Sequence, residues 1–273
     1  MNLVIGVLII VVVAAVAIGA MLFVRRFAPE GGYFEDGDRA AGIFGVLAGG
    51  FAILLGFIVF LAFASYDESR SGAEVEALKV VEQYQTAQLL PEEAARELTG
   101  QLICYGRYVV YVEWPEMEDG SLGDSINPWG VALFDTLLGV EPEGAAQESA
   151  FEAWLAQTSE RQEARQDRVH GAEGIMPWPL WLVIIGVALV IFAFILMFAD
   201  SGERWWVQAA MMGTVAAVTT ATILVILLLN TPFQEGPGGL EPVAMERTLA
   251  TLDSVQDIGV HGEPPCNERG QAQ

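Results

Sequence analysis

The sequence predicts an all-α protein: four transmembrane helices, with a helical extramembrane domain inserted between spans two and three. Three observations predict it. Apolar and charged residues are segregated into blocks, and 53% of the 273 residues are hydrophobic, with a mean hydropathy of +0.43, well above an ordinary soluble domain. Residues 40–66 carry no charge, a run longer than the roughly 20 apolar residues that cross a bilayer as a helix. Residues 67–176 then hold 22 acidic and seven basic residues, a composition that belongs in water.

Residues 3–24 form a continuous Val/Ile/Ala-rich run followed by Arg25 and Arg26. A cleaved signal peptide carries its positive charge before a shorter apolar core and a small-residue cleavage site after it, so this run reads as the first span. A loop over 27–38, with Pro29 and the Gly31-Gly32 pair, returns the chain to the second. There Gly42, Gly45, Gly49, Ala52 and Gly56 recur at steps of three and four and fall on one stripe. Such stripes let backbones approach closely in membranes, and Gly45 and Gly49 make a GxxxG pair. The stripe reads as a helix-packing face, with a pore-facing stripe as the alternative. Phe44, Leu47, Phe51, Leu54, Leu55 and Ile58 cover the bulky side.

Past Tyr66 the second helix is expected to run on in water over 67–89, with Val75, Leu78, Val81 and Tyr84 along one face. Pro91 suits the first turn of a new helix, and Glu92 and Glu93 favour its positive end. That helix aligns Leu98, Leu102, Tyr105, Val109 and Val112. It is expected to stop at Trp114-Pro115, because the residue before a proline avoids the helical conformation. Cys104, beside this face, reads as a packed small residue. Residues 129–140 predict a short helix, and 145–169 a long one that begins with Phe151, Trp154, Leu155 and Thr158 as its apolar face. Arg161, Arg165 and Arg168 follow at steps of four and three, interleaved with Glu160, Glu163 and Asp167. They read as a solvated face laced with ion pairs; the alternative is an anion or lipid-headgroup contact near the membrane surface.

Residues 178–199 form the third span, opened by Trp178 and Trp181 at the interfacial level. A tight polar turn over 200–204 leads through Trp205 and Trp206 to the fourth span, 207–229, and the two are expected to pack as an antiparallel hairpin. The fourth span bears its own small stripe, Ala210, Gly213, Ala217 and Thr220. A Gly/Pro-rich stretch precedes an amphipathic helix over 241–255, with Met245, Leu249 and Leu252 on one side, and a polar tail from 256 that reads as mobile. The organisation expected is therefore 1–65 for spans one and two and 66–177 for the acidic helical domain. Residues 178–229 hold spans three and four, and 230–273 the terminal helix and tail.

A net charge of −22 repels phosphate backbones, which excludes nucleic acid as a partner. No span contains Asp, Glu, Lys, Arg or His, which argues against a proton relay or a coupled transporter. No Walker loop, His-Glu-x-x-His, Cys-x-x-Cys or Gly-x-Ser-x-Gly is present, so neither an enzyme nor a cofactor is expected. Glu113, Glu116 and Glu118 cluster around Trp114 and read as solvated carboxylates, not as a divalent-cation site, so no metal is expected. Cys104 and Cys266, the only cysteines, define no disulfide framework. Four spans put both termini and the large domain on one side. Arg25, Arg26, Arg39 and Arg204 lean the short loops towards the cytoplasm. Arg70, Arg165 and Arg168 flank the membrane on the other side, and the orientation stays open.

Four blocks carry a resemblance. They are the Phe/Gly-rich second span running into Tyr66, Asp67 and Arg70; Glu76-Ala77; Tyr105, Tyr108-Val109-Val110 and Glu113-Trp114-Pro115; and Asn230-Thr231-Pro232-Phe233. Together they resemble the bacterial bestrophin-like family over nearly the whole chain, with Asn230 standing where that family usually has an acidic residue. The resemblance implies a relation in architecture to bestrophins, homopentameric anion channels with a helical cytosolic domain and aromatic constrictions on the second span. By that analogy Phe51, Phe57, Ile58 or Phe60 would gate a pore by dewetting. It also implies a multi-pass, homo-oligomeric protein of the bacterial plasma membrane, with lipid and ions as its partners. An acidic vestibule concentrates cations and depletes anions, so selectivity is left unassigned. The expected function is an oligomeric ion channel. The alternative is a non-conducting membrane scaffold or sensor whose helical domain binds a protein partner.

Overall fold

The computed structural model describes residues 3–120, 126–172, 174, 176–234, 236, 238–255 and 259–273. Among them are α1 (Leu3–Arg25), α2 (Gly37–Ala87), α3 (Glu92–Tyr108), α4 (Trp114–Glu118), α5 (Pro128–Leu138), α6 (Gly144–His170), α7 (Trp178–Leu196), α8 (Trp205–Asn230) and α9 (Val243–Ser254). A π-helical turn, Val109–Glu113, joins α3 to α4. The chain divides into two compact units, the first Met1–Ala64 with Ile175–Asn230 and Gly236–Gly238, the second Ser65–Gly174 with Thr231–Glu235 and Gly239–Gln273. Helix α2 is 51 residues long and contributes to both.

Four helices, α1, α2, α7 and α8, are long and apolar enough to cross a membrane. In the first unit α2 packs Phe51, Leu55 and Ile58 against Ile184, Ala188 and Ile191 of α7 and Ile226 of α8. Helix α8 makes its main contact with α1, whereas α7, expected to be its hairpin partner, touches it little. Small residues let the two approach: Ala17 of α1 and Ala216 of α8 share one buried cluster with Met21 and Met212. A Cβ built on Gly213 would stand only 2.9 Å from Ile18 Cδ1. The short loops are tied together by polar groups. Arg25 donates from Nη2 to the carbonyls of Ser201 and Glu203. Asp200 Oδ1 accepts the backbone N–H of Gly202 at 2.7 Å and of Gly31 at 3.0 Å, and these two bonds hold its carboxyl below the ordinary range.

The second unit has its own core. Val80, Tyr84 and Ala87 of α2, Leu98 and Leu102 of α3, Leu133 and Leu137 of α5, Trp154 of α6, and Met245 and Leu252 of α9 form one buried apolar cluster. Two expectations are corrected here. The helix begun at α3 does not stop at Trp114-Pro115. The π-helical turn widens the backbone ahead of the proline, and Pro115 then falls in the first turn of α4, where no N–H is needed. Nor is the tail free. Cys266 is disulfide-bonded to Cys104, which is therefore cross-linked as well as packed. Trp129 Nε1 donates to the Gly270 carbonyl at 2.6 Å, and Gln88 Nε2 to that of Val260 at 3.0 Å. Gly262 lies so close to α3 that a Cβ there would stand 1.7 Å from the Arg96 carbonyl oxygen. Glycines that admit the tail to α3 turn a polar sequence into a packed strap; residues 256–258 lie outside the described set.

Candidate functional site

The second unit is built around a buried ion cluster. Arg168 of α6 is fully buried, and it donates from Nε to Glu76 Oε2 at 2.5 Å and from Nη2 to Glu76 Oε1 at 3.1 Å. The same Nη2 reaches Glu113 Oε2 at 2.5 Å. Arg165 closes the other side, with Nε and Nη2 on Glu113 Oε1 at 3.2 and 3.0 Å. Tyr105 donates its hydroxyl to Glu76 Oε1 at 2.5 Å. Glu76 comes from α2, Glu113 from the π-helical turn and Arg168 from α6, so three separate stretches of chain meet on one cation. Gly72 makes this approach possible, since a Cβ there would stand 2.6 Å from Arg168 N and 2.7 Å from the Ala164 carbonyl.

Burial raises the Glu113 carboxyl, but the charges of Arg168 and Arg165 outweigh it and hold the group below its ordinary range. Burial pushes the Tyr105 hydroxyl well above its own, helped by the Glu76 charge. Glu113 therefore stays ionised, and Tyr105 protonated, at neutral pH. The expected solvated arginine face is overturned. Arg161 and Arg168 are buried, because steps of seven put both in register with buried Trp154. That register was the available signal, and Glu160 and Glu163 take the exposed face instead. Glu113 is likewise no solvated carboxylate.

The remaining motif residues divide. Trp114 donates Nε1 to the Leu240 carbonyl at 3.2 Å and meets Phe233 edge-on at 5.3 Å, with Arg168 Cζ 5.8 Å from its own ring. Arg70 pairs with Glu74 on the surface, Tyr66 is half-buried, Pro115 is exposed, and Pro232 lies beside Gly171. In the first unit the Asn230 amide oxygen accepts the Met176 N–H at 2.9 Å. On α2, Gly42, Gly45, Gly49, Ala52 and Gly56 are exposed, and a Cβ on any of these glycines meets nothing within 4 Å. Phe57 and Phe60 are exposed too, while Phe51 and Ile58 are packed inside the chain's own core.

A family signature described as the Bestrophin-like domain matches residues 11–238. The chain belongs to this family. Solved structures share its fold. A point variant of a bacterial Bestrophin homolog from Klebsiella pneumoniae aligns at 14% identity with a TM-score of 0.66, over 91% of this chain and 98% of that one. A second variant of that homolog aligns at 12% identity and TM-score 0.68, over 93% and 98%. A structure described only as a membrane protein gives 13% and 0.66, over 93% and 99%. No curated protein matches the chain by sequence. Within this family member, Glu76, Tyr105, Glu113, Trp114 and Phe233 gather around Arg168.

Because the folded Glu113 carboxyl is depressed, its stabilising contribution is present above the ordinary carboxylate range and lost as pH falls through the folded value. Glu113→Gln is expected to cost about 3 kcal/mol at neutral pH, by leaving Arg168 and Arg165 to share one carboxylate fewer in a buried site. In thermal melts against pH, the gap between native protein and variant should narrow below about pH 4. A gap independent of pH would contradict the ionised cluster.

Proposed function

We propose that this member of the Bestrophin-like family is a homo-oligomeric ion channel whose pore is lined by the open face of α2. One observation carries the reading: α2 has two unlike faces. One packs Phe51, Leu55 and Ile58 into the chain's own core. The other presents Gly42, Gly45, Gly49 and Gly56 and then the rings of Phe57 and Phe60, with nothing among the described residues within 4 Å of a Cβ at the glycines. Glycines permit close approach of neighbouring copies, and exposed rings in a narrow apolar passage exclude water until they move apart. Phe57 and Phe60 are thus the constriction, and Phe51 and Ile58 support it from behind. Selectivity is left to the reversal potential.

Purified protein in liposomes is expected to pass ions, and Phe57→Ala with Phe60→Ala to raise the flux several-fold. Absence of flux across varied voltage, calcium and pH would favour the scaffold reading, in which the same glycines serve packing alone.

The reading includes an orientation. The Cys104–Cys266 disulfide supports placing the acidic domain on the oxidising, external side. Arg25, Arg26, Arg39 and Arg204 on the short loops lean the same way. This reverses the cytosolic domain that the likeness to bestrophins implied. A cysteine introduced as Gln273→Cys should react with a membrane-impermeant maleimide in intact spheroplasts. Reaction only after permeabilisation would reverse the assignment.

A further inference from the structure

Arg70, a motif residue, stands exposed and outside the buried ion cluster. On α2 it shares one helix face with Tyr66, a turn before it, and Glu74, a turn after. That face lines a pocket of about 420 Å³ within the second unit, and Trp114, Glu241 and Arg247 line the rest of it. Arg70 and Glu74 meet at 3.2 Å, each 60% exposed, and an exposed pair of this kind opens readily to a better partner. Arg247 is exposed as well and makes no ion pair among the described residues.

The charges of the pocket are two guanidiniums and two carboxylates, all on exposed residues. A simple anion would meet the carboxylates and a simple cation the guanidiniums, so each is repelled as much as it is drawn. A ligand carrying both signs gives every group its opposite. Position along α2 says which ligand. Tyr66 closes the uncharged run of 40–66, and such rings settle at the headgroup level of a bilayer. Arg70 follows about 6 Å further along the helix, within a headgroup layer roughly 5–7 Å deep. A guanidinium matches phosphate in its forked geometry, and a carboxylate accepts from a primary ammonium. Helix neighbours one turn apart stand about 5–6 Å from each other at Cβ, close to the reach of a two-carbon link between phosphate and amine. We infer that this pocket binds the headgroup of an amino-phospholipid, with its phosphodiester on Arg70 and its primary amine on Glu74. Arg247 and Glu241 add a second partner to each. The site is independent of ion conduction.

Native mass spectrometry of the detergent-solubilised full chain tests it, with phosphatidylethanolamine, phosphatidylglycerol and phosphatidylcholine added in turn. The ethanolamine lipid should be retained at least fivefold more than either other. Phosphatidylglycerol lacks the amine, and the methylated amine of phosphatidylcholine donates no N–H. Arg70→Gln with Arg247→Gln should cut that retention at least fivefold at an unchanged melting temperature. Glu74→Gln with Glu241→Gln should turn the preference towards phosphatidylglycerol, a change that lost packing does not produce. Glycerophosphoethanolamine, the same headgroup without acyl chains, should compete at least tenfold more weakly than the lipid. Equal competition would make the ligand a soluble phosphodiester and overturn the lipid assignment. Equal retention of the three lipids, or unchanged retention in both double variants, would overturn the site itself.

Discussion

A single guanidinium, that of Arg168, is shared between the carboxylates of Glu76 and Glu113 in a place that water does not reach. Removing three charges from water is costly, and only close, well-directed pairing makes it tolerable. The geometry is accordingly constrained from all sides. Gly72 brings α2 and α6 together, and the π-helical turn carries Glu113 towards the arginine. Tyr105 fills a further lone pair on Glu76, and Trp114 lies beside the guanidinium. A buried charge accepts few alternative arrangements, so the cluster fixes the register of three stretches far apart in sequence.

The membrane helices were legible because length and hydropathy alone announce them: 27 residues without charge in the second span leave few other folds. The helices of the second unit were legible from their apolar spacing. Less legible was what a charged residue does when it lies in register with an apolar face. Arg161 and Arg168 follow Trp154 at steps of seven, but their partners Glu76 and Glu113 lie 92 and 55 residues away from Arg168. Local charge alternation therefore suggested a surface. Pro115 misled in the same way, since a proline ends a regular helix but not one already widened by a π-helical turn. The tail escaped notice because its anchors are glycines, a cysteine and backbone carbonyls, groups with little signal in composition.

The motif residues and the second-span residues differ in kind. Glu76, Tyr105, Glu113, Trp114 and Phe233 are held by one another and by Arg168, which accounts for their identity by packing and charge alone. Gly42, Gly45, Gly49 and Gly56 of α2 meet nothing within 4 Å among the described residues, and a Cβ would fit at each of them. Their identity needs a cause outside the single chain, which is why the functional reading rests on them. In the second unit the same logic singles out Arg161, a buried cation two of whose nitrogens have no hydrogen-bond partner among the described residues.

The central claim is that Glu76 and Arg168 act as one unit, each tolerable in the core only with the other. A double-mutant cycle of Glu76→Gln and Arg168→Gln, read by chemical unfolding of the purified protein, measures this directly. The account predicts a coupling of about 2 kcal/mol or more, with the double variant less damaged than the two single losses added together. Additive losses would contradict it, and Arg168 would then be a cation that merely happens to lie beside two acids.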